Sequence, residues 1–238
     1  MSVGALIFSR FSSKRLPGKA LIDIEGRCLL GRVIDRTKLI KGVDKIIVAT
    51  STENDDDQIA KFCDSNGVNL FRGSLENPSK RALDACDHFK LLKFARICGD
   101  RPFFDPELNS QLISLANGNN YDLVTTTNQK PLPPGLTAEL ITVASLRNNI
   151  SRFSPENKEH LTSFFYENEN LFNIKRIKPP SYIRSDSSIR LVVDDNIDLR
   201  RAQSIAAHIK SKVSSNDFMP EIVSLATRWD NENIKSIV

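Results

Sequence analysis

The chain has 238 residues, 40% of them apolar, with 33 basic and 29 acidic side chains that leave a net charge of +4. That balance reads as a folded chain rather than a disordered one, and so small an excess carries no argument for a nucleic-acid partner. No apolar run approaches the ~18 residues that cross a bilayer, so no membrane partner is expected, and the start, MSVGALIFSR, lacks the basic and cleavage-like features of a signal peptide.

In chain order, VGALIF (3–8) reads as a buried strand and GRCLLGRVIDRTKLI (26–40) as a helix. KIIVAT (45–50) is a second strand. DDDQIAKFCDSNG (55–67) follows as a helix with acids at its positive end and Gly67 at its stop. VNLFRGS (68–74) is a third strand, NPSKRALDACDHFKLL (77–92) a helix and FARICGD (94–100) a fourth strand. A helix starting near Pro106 and a fifth strand, YDLVTTT (121–127), complete the alternation. Beyond it, 128–140 is a proline-rich loop leading into a strand. Residues 156–169 suit a helix, 172–178 and 189–195 strands, 196–213 an amphipathic helix, and 217–238 one or two closing helices. The whole chain is expected to be one domain.

Strands alternating with helices imply a mainly parallel, three-layer α/β sheet. In such sheets ligands bind beyond the carboxyl ends of the strands. That rule gathers the 9–19 loop, Thr50-Ser51, Arg72-Gly73-Ser74 and Gly99-Asp100 on one rim. Residues 9–19 hold four cations, Arg10, Lys14, Arg15 and Lys19, and no acid, which suits a polyphosphate. The loop is not a P-loop, because Ser13 holds the first glycine position and Ala20 follows Gly18-Lys19. GxGxxG is absent. Cys28, Cys63, Cys86 and Cys98 form no CxxC pair, which reads as reduced thiols in a cytoplasmic protein.

SRFSSKRLPGKAL resembles the ARxxSxRLPGKxL signature of sugar-activating cytidylyltransferases, the CMP-ulosonate synthetases (CMP-Kdo and CMP-sialic acid types) and above all their spore-coat-polysaccharide, SpsF-like branch. The resemblance continues through KIIVATSTENDDDQIAKFC, LFRGSLEN, RICGDRPFFDPEL, PPGLTAEL, KEHLTSFFYEN and IRLVVDDNIDLRRAQ, over residues 3–205.

The resemblance implies the Rossmann-like nucleotide-diphospho-sugar transferase fold, with residues 128–178 as an acceptor-binding or dimerisation insertion. It implies a Mg²⁺-dependent enzyme that transfers CMP from CTP to a sugar, releases pyrophosphate and serves surface-polysaccharide synthesis; CTP and a small sugar are its partners, with a homodimer possible. Arg10 and Lys19 would hold the triphosphate, with Ser9, Lys14 and Arg15 beside them, and Arg10, Lys19 and Asp100 would form the catalytic set. Asp100 and Asp194 would be the Mg²⁺ ligands, with Asp195 as an alternative. Arg72 and Ser74 would face the cytosine. Asn128, Gln129, Glu139, Glu159 and His160 are the polar candidates for the acceptor.

Several positions depart from the family pattern. Ser9 replaces an alanine, Lys80-Arg81 an Asp-Arg pair, Arg101 a small residue, Thr137 an acid and Asp195 a threonine. Arg101 either adds a substrate contact or points outward. Two other functions stay open, a nucleotidyltransferase of different specificity and a weakly active nucleotide-binding homologue. A glycosyltransferase is disfavoured, because Asp55-Asp56-Asp57 opens a helix where a metal-binding DxD should end a strand. No residue stands out as general base.

Overall fold

A computed structural model describes residues 2–128, 132–178, 180–183, 189–209 and 219–233. Its centre is a seven-stranded sheet. The strands are β1 (Val3–Phe8), β4 (Lys45–Ser51), β5 (Asn69–Gly73), β6 (Lys93–Cys98), β7 (Leu123–Thr125), β8 (Glu139–Thr142) and β9 (Ile174–Arg176), in the order β5-β4-β1-β6-β8-β7-β9. A two-stranded hairpin, β2 (Asp23–Ile24) with β3 (Arg27–Cys28), lies outside the sheet.

The five strands read from the alternation all pair as strands, and β1 sits between β4 and β6 with parallel register on both sides. β8 runs antiparallel to both β6 and β7, so the sheet is mixed at this one place. Residues 128–178 thereby supply two strands, β8 and β9, to the central sheet.

Alternation along each strand divides the core in two. Ala5 and Ile7 of β1 face one cluster and Leu6 faces the other. The first cluster takes apolar side chains of α1 (Leu29–Thr37), α2 (Asp57–Ser65), α4 (Pro106–Ala116), α8 (Asn196–Ile209) and α9 (Met219–Asn233). The second takes α3 (Pro78–Phe89), α5 (Val143–Asn149) and α7 (Ser163–Glu167). The three-layer expectation is met because β1 is apolar on both faces, with Ala5, Leu6 and Ile7 all at 0% exposure.

Three expectations need correction. The helix read over 26–40 begins only at Leu29, since Arg27 and Cys28 pair in the hairpin and the Cys28 sulfur caps α1 by accepting from Gly31 N. The helix read over 156–169 is two short ones, α6 (Pro155–Glu159) and α7, broken at His160, whose ψ of 72° is not helical. Residues 189–195 form no ladder. Leu191 N donates to Pro134 O and Val193 N to Asp100 O, so this apolar run is extended but held by loops. The closing region contains α9, while 210–218 and 234–238 lie outside the described residues.

Candidate active site

β1 stops at Phe8, and the cationic loop begins. Ser9 N donates to Ala49 O at 3.3 Å and Gly18 N to Phe11 O at 3.1 Å, which ties both ends of the loop. Leu16 and Ala20 are buried in the first core cluster, so the loop is anchored by apolar contacts between its charges. Gly18 has φ +70°, a left-handed turn that costs glycine little. That turn delivers Lys19 into a 3₁₀ turn, Lys19–Leu21, with its side chain pointing inward.

The Lys19 Nζ lies 2.8 Å from Val193 O, 2.9 Å from Asp194 Oδ1 and 3.4 Å from Asp100 Oδ2. The ends of β6 and of the 189–194 segment therefore meet at one ammonium. Gly99 permits the approach, because a Cβ there would sit 2.7 Å from Phe8 O. Arg15 also reaches Asp194, at 3.1 Å, and Arg10 pairs with Glu159 at 3.0 Å. Lys14 is exposed and has no ion pair among the described residues.

These groups line a cavity of about 980 Å³ that contains Ser9, Arg10, Lys14, Arg15, Lys19, Asp100, Asp194, Glu159 and His160. Four chain regions named from the sequence converge there. A polyanion would meet the loop cations on one wall, and a hard cation would meet the oxygen ligands of Asp100 and Asp194. Among the described residues no three His, Cys, Asp or Glu side chains cluster closely enough to hold a metal alone.

The other candidates lie elsewhere. Arg72 is not in the cavity wall: it donates to Ser51 O and Glu53 O, each at 2.9 Å, and to Asp57 Oδ1 at 2.6 Å. The Ser74 hydroxyl accepts from Asn77 N, at the start of α3. Glu139, 4% exposed, accepts from Arg96 at 2.9 Å and from Tyr166 at 2.8 Å. Exposed Asn128 donates to Thr126 O, and Gln129 lies outside the described residues. Asp195 caps α8, accepting from Ile197 N and Asp198 N. Arg101 donates to Thr137 O at 3.1 Å, bracing the proline-rich loop.

A family profile described as cytidylyltransferase matches residues 5–206. The chain belongs to the cytidylyltransferase family. It is 34% identical over 209 residues to "Uncharacterized protein MJ1063" of Methanocaldococcus jannaschii, covering 87% of this chain and 84% of that protein. It is 28% identical over 209 residues to the spore coat polysaccharide biosynthesis protein SpsF of Bacillus subtilis, covering 84% of each. The solved structure of a cytidylyltransferase from Leptospira borgpetersenii superposes with a TM-score of 0.85 at 27% identity, covering 99% of this chain and 96% of that one. Among the described residues no helix is long and apolar enough to cross a membrane.

Two cytidylyltransferase cavity residues were missing from the sequence-based set. Arg81, 1% exposed, lines the wall from α3 and donates to Ser74 O at 2.9 Å, with no carboxylate paired to it among the described residues. Burial and then the Arg10 charge lower its pKa to about 10. Arg96, within β6, also lines the cavity and is paired with Glu139. An arginine inside the apolar run FARIC was its visible signal; Arg81 stood in the departing Lys80-Arg81 pair.

Proposed function

We propose that this cytidylyltransferase transfers CMP from CTP to an acid sugar, with Mg²⁺ as cofactor, and that its product feeds surface-polysaccharide synthesis. The observation that carries the reading is Lys19, held between Asp100 and Asp194 in the wall of a cation-lined cavity. The spore-coat-polysaccharide relative supports the product's destination, and the resemblance to CMP-ulosonate synthetases supports the acid sugar.

In this reading an acceptor hydroxyl attacks the α-phosphorus and releases its proton to water, the bond from that phosphorus to the bridging oxygen breaks, and pyrophosphate leaves with the electron pair. Arg10 offers a bidentate fork to phosphate oxygens. Lys19 supplies a point charge to the leaving group, where negative charge grows, and Lys14 and Arg15 extend the same wall. Asp100 and Asp194 would hold Mg²⁺, which when bound neutralises phosphate charge and orients the phosphate. Glu159, paired with Arg10, and His160 line the same cavity and are our candidates for meeting the acceptor. Arg72 and Ser74 stay proposals for the base, as Asn128, Gln129 and Glu139 do for the sugar.

Arg72, occupied outside the cavity, favours testing a second reading in which the nucleotide differs. Thermal shifts with CTP, UTP, GTP and ATP separate the two, and equal stabilisation by all four counts against a CTP enzyme. Pyrophosphate release is then measured with CTP, Mg²⁺ and a panel of acid sugars. Asp100→Asn is expected to lower turnover by roughly 100-fold or more with an unchanged circular dichroism spectrum. Full activity in that variant would remove Asp100 from the reaction.

A further inference from the structure

We propose that Asp56 is a positioning residue for nucleotide binding: its buried carboxylate sets the path of the cationic loop by holding the Phe11 N–H against the end of β4. The inference rests on the loop binding the nucleotide, as argued above.

The three adjacent acids read from the sequence as a helix opening have three different fates. Asp55 is exposed and borders the cavity, and Asp57 is exposed and pairs with Arg72. Asp56 turns inward and is 1% exposed. Its Oδ1 accepts from Phe11 N at 2.6 Å, across 45 residues of sequence. Its Oδ2 accepts from Ser51 N at 2.8 Å and from Ser51 Oγ at 2.5 Å. A buried carboxylate is costly unless hydrogen-bonded, and both oxygens here have donors. Burial pushes the Asp56 pKa up, but the bonds from Phe11 N, Ser51 Oγ and Ser51 N outweigh it and hold the group below its ordinary value. The carboxylate therefore stays charged at neutral pH.

The geometry has a direct consequence for Arg10. The Phe11 N–H and the Arg10 carbonyl belong to one planar peptide unit. Fixing that N–H orients the plane and so restricts the backbone from which the Arg10 side chain leaves. Asp56 forms no ion pair with a loop cation among the described residues, so it acts on the backbone and leaves the charges to a ligand. The turn that carries it is braced from outside by Arg72, through Ser51 O, Glu53 O and Asp57. Arg72, Asp56 and Phe11 thus connect the β5 end, the β4 turn and the cationic loop in one chain of hydrogen bonds.

The test is CTP affinity by calorimetry, with steady-state kinetics alongside. Asp56→Asn is nearly isosteric, yet one side of its amide donates and must face a backbone N–H. Its CTP Kd is expected to rise roughly 10- to 100-fold, as displacements near 1 Å can cost that much, with KM for CTP following and kcat at saturation falling less. Ser51→Ala keeps both backbone donors and should remain within about threefold of wild type. Should Asp56→Asn fail to fold, Asp56→Ser is measured against the same expectation, since its hydroxyl accepts without a conflicting amide. A folded variant that binds CTP within about twofold of wild type, even with a lower Tm, overturns the positioning role alone. Wild-type chain that binds no CTP overturns both this inference and the proposed function.

Discussion

Lys19 shows what a single side chain does in this site. It is half-buried, and its ammonium meets two carboxylates and a carbonyl from segments 81 and 174–175 residues away. Such a bridge keeps Asp100 and Asp194 close despite their like charge, and an arriving polyanion competes for the same ammonium. Cysteines report on the site independently. Cys98 lines the cavity just before Gly99-Asp100, whereas Cys63 and Cys86 are fully buried. Burial pushes the Cys63 thiol up to about 11 and the Cys86 thiol up to about 12, so neither has much reactive thiolate near neutral pH. At pH 8 iodoacetamide should modify Cys98 well before Cys63 or Cys86. Saturating CTP should slow the Cys98 reaction by about tenfold or more. Peptide mass spectrometry over time checks both expectations, and a Cys98 rate indifferent to CTP would place the nucleotide elsewhere.

At the scale of elements, the 189–195 run and α8 depend on one buried acid. Asp198, 2% exposed, accepts from Arg201 at 2.6 Å, from Arg190 at 3.2 Å and from Asp194 N at 3.1 Å. Arg201 continues to Asp230 of α9 at 2.6 Å and stacks over Trp229. The segment bearing Asp194 is thereby tied to the last described helix. Burial raises the Asp198 pKa, but the bonds from Arg190, Arg201 and Asp194 N outweigh it, and the folded value lies below the ordinary one. A depressed folded pKa gives stability that is complete above the unfolded value of about 3.9. That stability is lost as pH falls through the folded value. Asp198→Asn should cost about 3 kcal/mol at pH 7, since it leaves Arg201 buried with a partner lost. The gap to wild type should shrink below about pH 4, which urea unfolding at pH 7 and at lower pH measures. An undiminished gap in acid would assign the cost to packing instead.

For the whole molecule, stability comes from two apolar layers on the faces of one sheet. Phe94 of β6 is 0% exposed and faces the second cluster, with Ala95 beside it facing the first. Phe94→Ala should lower unfolding free energy by about 3–5 kcal/mol, read from the urea midpoint at unchanged slope. A loss under about 1 kcal/mol would mean the second layer repacks freely.

Five strands, their mainly parallel direction and the rim they share were legible, because period, turn residues and strand-end position are local properties of the sequence. Arg10, Lys19, Asp100 and Asp194 were legible as candidates through strand ends and the family signature. The direction of β8 was not, since a four-residue strand carries no signal of the neighbour it will pair with. The run at 189–195 has strand composition, yet its donors go to Pro134 and Asp100 in loops, a choice made by distant segments. Arg72 and Asp56 were no more legible, for the same reason: both sit at strand ends or turns in sequence, and only the folded chain turns Arg72 onto the Ser51–Asp57 turn and Asp56 inward to Phe11 N. The sequence by itself therefore determined the layers, the rim and the chemistry of the cationic loop. The tertiary structure decided which charges meet, because ion pairs and buried hydrogen bonds join residues that sequence spacing does not relate.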